Sequence, residues 1–141
     1  GAKGHGKSTF NRSAVNVLLS SFPRVAFLDV DPGQAEFTAP GVLALTILDH
    51  PVLGPGYMHF PQPPSPARWY GALTPSTDPG MYLALVRDLV KRYRAYADAV
   101  WHANGVLVPL VVNAMGWVKS LGLDMLRETV NETTPTSVVV L

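Results

Sequence analysis

The sequence predicts an α/β layer fold, a doubly wound and mainly parallel sheet with flanking helices. Three observations predict it. Apolar runs of strand length alternate with segments of helical periodicity along the chain. The run "VAFLDV" (residues 25–30) is continuously apolar and ends in carboxylates, as a strand covered on both faces does. A glycine-rich loop, "GAKGHGKS", feeds straight into a helical pattern. The 141 residues suffice for one domain with its own core, and 48% apolar against 15% charged residues argues for a packed interior.

The elements follow in order. From Ser8 to about Ser20, Phe10, Ala14, Val17 and Leu18 recur at helical spacing, with Asn11 and Arg12 on the other side. Pro23 closes the connection to the strand at 25–30. Residues 32–66 are rich in proline and glycine yet too apolar for a free linker, so they read as an ordered loop region with one strand near Val42 to Ile47. "ARWYGAL" suits a short strand. Thr77 or Asp78 then caps a long helix with Pro79 in its first turn. Its apolar stripe is Tyr82, Leu85, Val86, Leu89, Tyr93 and Tyr96. Arg87, Lys91, Arg92 and Arg94 lie mostly off that stripe, as a solvated face or as a phosphate-contacting surface. "PLVVN" is a second buried strand, "GWVKSLGLDMLRETV" contains a second helix, and "TSVVVL" is a last strand.

Composition excludes several functions. There is no cysteine, hence no disulfide, thiolate metal site or thiol catalysis. No apolar run reaches the eighteen or so residues that span a bilayer. The asparagine triplets at Asn11 and Asn131 match the glycosylation pattern by chance. The net charge is +1, so a nucleic-acid contact must come from local residues and not from the field of the whole domain.

The opening loop carries the chemistry. Gly1, Ala2, Lys3, Gly4, His5, Gly6, Lys7 and Ser8 fit G-x-x-x-x-G-K-[ST], the P-loop pattern. Phosphates need converging backbone N–H groups, and glycine lets the chain wrap them closely. The following helix directs its positive end at the same anions. Lys7 would reach the β- and γ-phosphates, and the Ser8 hydroxyl would join the shell of a bound Mg2+. Asp29 and Asp31 lie at the carboxyl end of the next strand, where an α/β sheet forms its ligand crevice. A carboxylate there can hold Mg2+ through water or accept a proton from an attacking hydroxyl. The alternative for "DPG" is a plain turn.

"GAKGHGKSTFNR", "LDVDPGQAEFTAPG", "PVLGP" and "PLVVNAMGWVKSLGLDML" resemble, in order, the P-loop polynucleotide 5′-hydroxyl kinases. These are the RNA kinases of pre-mRNA 3′-end cleavage and their nucleolar relatives in ribosomal RNA processing. The "STFNR" continuation, E-F-T-x-P-G and "PVLGP" are more similar to the nucleolar branch. The resemblance implies ATP-dependent transfer of a γ-phosphoryl group to the 5′-hydroxyl of RNA. It implies that Lys7, Ser8 and Thr9 bind ATP phosphates and Mg2+, and that Asp29 is the base or a metal-shell carboxylate, assisted by Gln34. It also implies a clasp at Gly116 and Trp117, where the indole stacks on a nucleobase; a core or lid-packing aromatic is the alternative for Trp117. Ala114 departs from the threonine usual in relatives. A nucleolar location and an endonuclease partner are further implications. A nucleotide-dependent assembly module with little transfer is the competing reading. The family domain has a strand before its P-loop and a lid with phosphate-binding arginines beyond the last residue here. The expectation is therefore a partial kinase domain over 1–141, with a gap in the sheet beside the loop or another segment filling it.

Overall fold

The computed structural model describes residues 6–54, 58–59 and 66–140. Helix α1 (Lys7–Leu19) starts at Gly6, whose φ of 84° is left-handed and favours glycine. The N–H of Phe10 donates to the Gly6 carbonyl at 2.8 Å and closes the first turn. Strand β1 (Val25–Asp29) is buried at every residue. The chain then returns as β2 (Val42–Leu48) and β3 (Ala67–Trp69), passes through the long helix α2 (Pro79–Asn104), and re-enters the sheet as β4 (Leu110–Asn113) before helix α3 (Leu121–Thr133).

The sheet order is β3-β2-β1-β4. The parallel pair β1–β4 is the one whose connection includes a helix, α2; β1–β2 and β2–β3 are antiparallel. The α/β layering is thus as expected, and the sheet is mixed where a mainly parallel one was expected. The reason lies in residues 30–41, which contain no helix to carry the chain across a face, so β2 runs back alongside β1. Gly41, at φ 83°, makes the return and donates its N–H to the Pro32 carbonyl at 2.8 Å.

Side-chain alternation along β1 builds a core on each face. Ala26 and Leu28 join Leu43, Leu45, Tyr82, Val86 and Leu89 under α2 and α3, whereas Val25 and Phe27 join Val15 of α1 and Phe37. Asp78 caps α2, its Oδ1 accepting the Met81 N–H at 2.9 Å, with Pro79 in the first turn. The helix arginines follow the solvated-face reading. Arg87 pairs with Glu128 and Glu132 of α3, Arg92 with Asp88, and Arg94 donates to the Glu132 carbonyl.

The expected last strand is absent: among the described residues, 134–140 form no strand, and Val138, Val139 and Val140 are exposed. An apolar extended run becomes a strand only where a sheet edge offers it hydrogen bonds, and α3 ends at Thr134 (φ 46°) without delivering it to one. On its side away from β1, β4 has no strand partner among the described residues.

One side chain sets how the chain leaves β1. The Tyr82 hydroxyl, fully buried, donates to the Val30 carbonyl at 3.0 Å, between the two aspartates. Burial pushes this phenol's pKa up, so it keeps the proton it donates. Tyr82→Phe is expected to lower stability by roughly 0.5–1.5 kcal/mol, read as a shift of the urea midpoint at unchanged slope.

Candidate active site

A cleft of about 550 Å3 opens at the carboxyl ends of β1 and β4. Four chain segments meet there. The start of α1 supplies Lys7, the turn after β1 supplies Asp31, Gly33 and Gln34, residues Leu73 to Pro75 form a third wall, and Met115, Gly116 and Trp117 form the fourth. Of the residues singled out in the sequence, the fold brings Lys7, Asp31, Gln34, Gly116 and Trp117 to one cavity. Ser8 and Thr9 occupy the first turn of α1 behind Lys7. Gly1 to His5 lie outside the described residues.

The turn after β1 is built around Asp31. Its Oδ1 accepts the N–H of Gly33 at 3.0 Å and of Gln34 at 3.2 Å, an Asx-type turn that holds the carboxylate at the cleft wall. Gly33 is required there, because an added Cβ would come 2.9 Å from the Leu73 carbonyl oxygen. The opposing segment is fixed by the Tyr70 hydroxyl, which accepts the Asp78 N–H at 3.0 Å and reaches the Pro75 carbonyl at 3.1 Å.

Asp29 sits elsewhere than expected. It is 2% exposed, beneath the cleft, and does not line it. Its Oδ2 accepts the Glu36 N–H at 2.7 Å; its Oδ1 accepts the Asn113 amide at 2.9 Å and the Asp31 N–H at 3.3 Å. Asp29 ends an inner strand, so neighbouring strands flank its side chain and the returning turn covers it. Burial pushes its pKa up to about 7, against the opposing pull of the Glu36, Asn113 and Asp31 hydrogen bonds. Asp31, 9% exposed, is the aspartate that reaches the cavity.

Three groups escaped the reading of the sequence. Asn113 lies directly beside Asp29 in the β1–β4 register and is itself 4% exposed. Asn11 of α1 donates to the Asn113 Oδ1 at 2.9 Å. Glu36 sits between Arg12 (3.8 Å) and His59 (2.7 Å), while Arg12 also donates to the Ser8 and Gly54 carbonyls. Asn16 grips Val52 through both of its backbone groups, at 2.8 and 3.1 Å, seating the segment around "PVLG" on α1. The spacing N-x-x-G-W contains Asn113, but only strand register reveals its partner.

Trp117 stands between cleft and core. It lines the cleft and also packs against the core cluster under α2. Gly122, in the first turn of α3, makes its seat: an added Cβ would overlap Cγ and Cδ2 of the indole and lie 2.6 Å from the Trp117 carbonyl.

The raised pKa of Asp29 sets a pH dependence. The folded state keeps this proton up to about pH 7, and the unfolded chain releases it near 3.8. Across that window the folded state binds more protons, so this contribution to stability is complete below the lower value and lost as pH rises through the upper one. Urea midpoints of the nucleotide-free protein are expected to fall between pH 5 and pH 8, and Asp29→Asn is expected to flatten that fall. An equal slope in the variant would place the titration on another group.

Among the described residues no helix is long and apolar enough to cross a membrane. Comparison with known proteins agrees with the geometry. The polynucleotide 5′-hydroxyl-kinase NOL9 of Arabidopsis thaliana is 41% identical over 141 residues, which cover 99% of this chain and 38% of the relative. The polynucleotide 5′-hydroxyl-kinase GRC3 of Cryptococcus neoformans is 40% identical, covering 98% of this chain and 20% of the relative. The mouse (Mus musculus) polynucleotide 5′-hydroxyl-kinase NOL9 is 38% identical over the whole chain, which spans 18% of that relative. The chain therefore spans well under half the length of these relatives. Over residues 1–141 it matches the family described as mRNA cleavage and polyadenylation factor CLP1 P-loop, and it belongs to that family.

Proposed function

We propose that this domain binds ATP and transfers its γ-phosphoryl group to the 5′-hydroxyl of RNA. The observation that carries this is one cleft that joins a lysine at a helix start, a carboxylate-bearing turn and an indole. The names of the relatives, polynucleotide 5′-hydroxyl-kinases, support the reading. Lys7 and the N–H groups at the start of α1, at Ser8 and Thr9, would hold the triphosphate. The Ser8 hydroxyl is a hard oxygen donor of the kind Mg2+ takes. When bound, that ion neutralises phosphate charge.

Asp31 stands at the cleft wall and is the carboxylate placed to take the proton from the attacking hydroxyl; Gln34 beside it can orient that hydroxyl. The new bond joins the RNA 5′-oxygen to the γ-phosphorus, the bond from that phosphorus to the β–γ bridging oxygen breaks, and ADP leaves. There is little covalent work for the protein beyond this, so catalysis is positioning and charge neutralisation. Trp117, which also lines the cleft, offers a stacking surface to the terminal base, a sequence-tolerant contact of roughly 1–3 kcal/mol. Action in the nucleolus on pre-ribosomal RNA, beside an endonuclease partner, extends the same reading through the nucleolar-branch resemblance.

Label transfer from γ-labelled ATP to a 5′-hydroxyl oligoribonucleotide by the full-length protein is the direct test. Lys7→Ala is expected to abolish transfer and weaken ATP binding. Asp31→Asn is expected to keep ATP binding and lose about 10²–10⁴-fold in rate. Near-normal transfer by either variant contradicts the assignment.

Trp117→Ala is expected to raise KM for the oligonucleotide and leave KM for ATP unchanged, because stacking acts on the base alone. Equal loss for both substrates with a lower Tm would mark a core aromatic.

A further inference from the structure

We infer that Asp29 is a positioning residue, a buried buckle held by the Asn11–Asn113 amide pair that fixes the turn carrying Asp31 and Gln34. The inference rests on the reading of the cleft given above. Both Asp29 oxygens are spent on N–H donors, and two of those are backbone groups of the turn itself, Asp31 and Glu36. The carboxylate therefore ties the two ends of the segment 31–36 to the end of β1. Its third donor, the Asn113 side chain, is oriented in turn by Asn11, one helical turn beyond Lys7.

The polarity of this chain is set at its α1 end. Asn11 donates through Nδ2 to Asn113 Oδ1, which turns the Asn113 Nδ2 toward Asp29. Were the first amide replaced by an acceptor, the Asn113 Nδ2 would be drawn toward position 11, its hydrogen bond to Asp29 Oδ1 would be lost, and the buckle would loosen. Lys7 and Asp31, which both line the cleft, are thus joined behind it by a continuous run of hydrogen bonds from α1 through β4 and β1 to the turn. Phosphate binding at α1 and the placement of the cleft carboxylate share one support.

The test uses the full-length protein with two readouts, kcat at saturating substrates and hydrogen exchange of the segment 31–36. Asn113→Ala is expected to lower kcat by about 10–100-fold, the range for groups that orient a functional side chain, with both KM values within about twofold, and to speed exchange in 31–36. Asn11→Asp, nearly isosteric, is expected to be more harmful than Asn11→Ala, the reverse of what a space-filling role requires. That excess should vanish in an Asn113→Ala background, where no amide remains to turn; a plain charge effect of the new carboxylate would persist. In an Asp29→Ala background, Asn113→Ala should cost nothing more in kcat or exchange. Asn11→Asp milder than Asn11→Ala, or additive losses in either double variant, overturns the inference. Should Asn113→Ala fail to fold, the two Asn11 variants decide alone. Absence of transfer by the unmodified protein would instead refute the kinase reading, with the exchange arm still testing the buckle.

Discussion

A carboxyl group buried at the end of an inner strand is costly unless its polar atoms find hydrogen-bond partners there. In this fold Asp29 is that group, and the site takes its form from how the cost is met. One donor comes from β4 and two from the backbone of the turn that follows β1. The turn is thereby folded back over the strand end instead of running on into solvent. Phe37, edge-on to Phe27 at 5.0 Å between centroids, anchors the far end of the same segment in the α1-side core. What stands above this arrangement is the wall of the cleft.

A left-handed backbone or a close approach explains the glycines that matter. Gly6 gives α1 its left-handed entry, Gly33 lets the Asp31 turn lie against the Leu73 carbonyl, and Gly122 lets α3 lie against Trp117. Gly33 stands where two segments bounding the cleft come together, and Gly122 seats the indole that lines it. The cavity is thus defined by backbone fit as much as by the side chains that line it. The two cores either side of β1 hold these segments in register, α1 from one face and α2 with α3 from the other.

Much of this architecture was legible in the chain. The run of α1, the start of α2 with its cap at Asp78, and the strand runs at β1 and β4 correspond to the observed elements within a residue or two, although α2 continues past the stripe to Asn104 and β4 is half-buried where a buried strand was expected. The direction of β2 was not legible, because alternation and burial say nothing about which way a strand runs. The last valine run shows the other limit: a strand-like composition makes a strand only beside an available edge.

The sequence by itself determined the family, the phosphate-loop chemistry around Lys7 and the presence of two aspartates at a strand end, since these depend on residue types at short fixed spacings. Only the tertiary structure decided which aspartate meets the cleft. Asp29 and Asp31 differ by two positions in a motif that reads alike for both, yet one is roofed by its own returning turn and the other forms its surface. The groups that hold Asp29, at positions 11, 36 and 113, come from a helix, a turn and a strand distant in sequence. Hydrogen-bond satisfaction of a buried carboxyl group is a property of all of them together, and no local pattern encodes it.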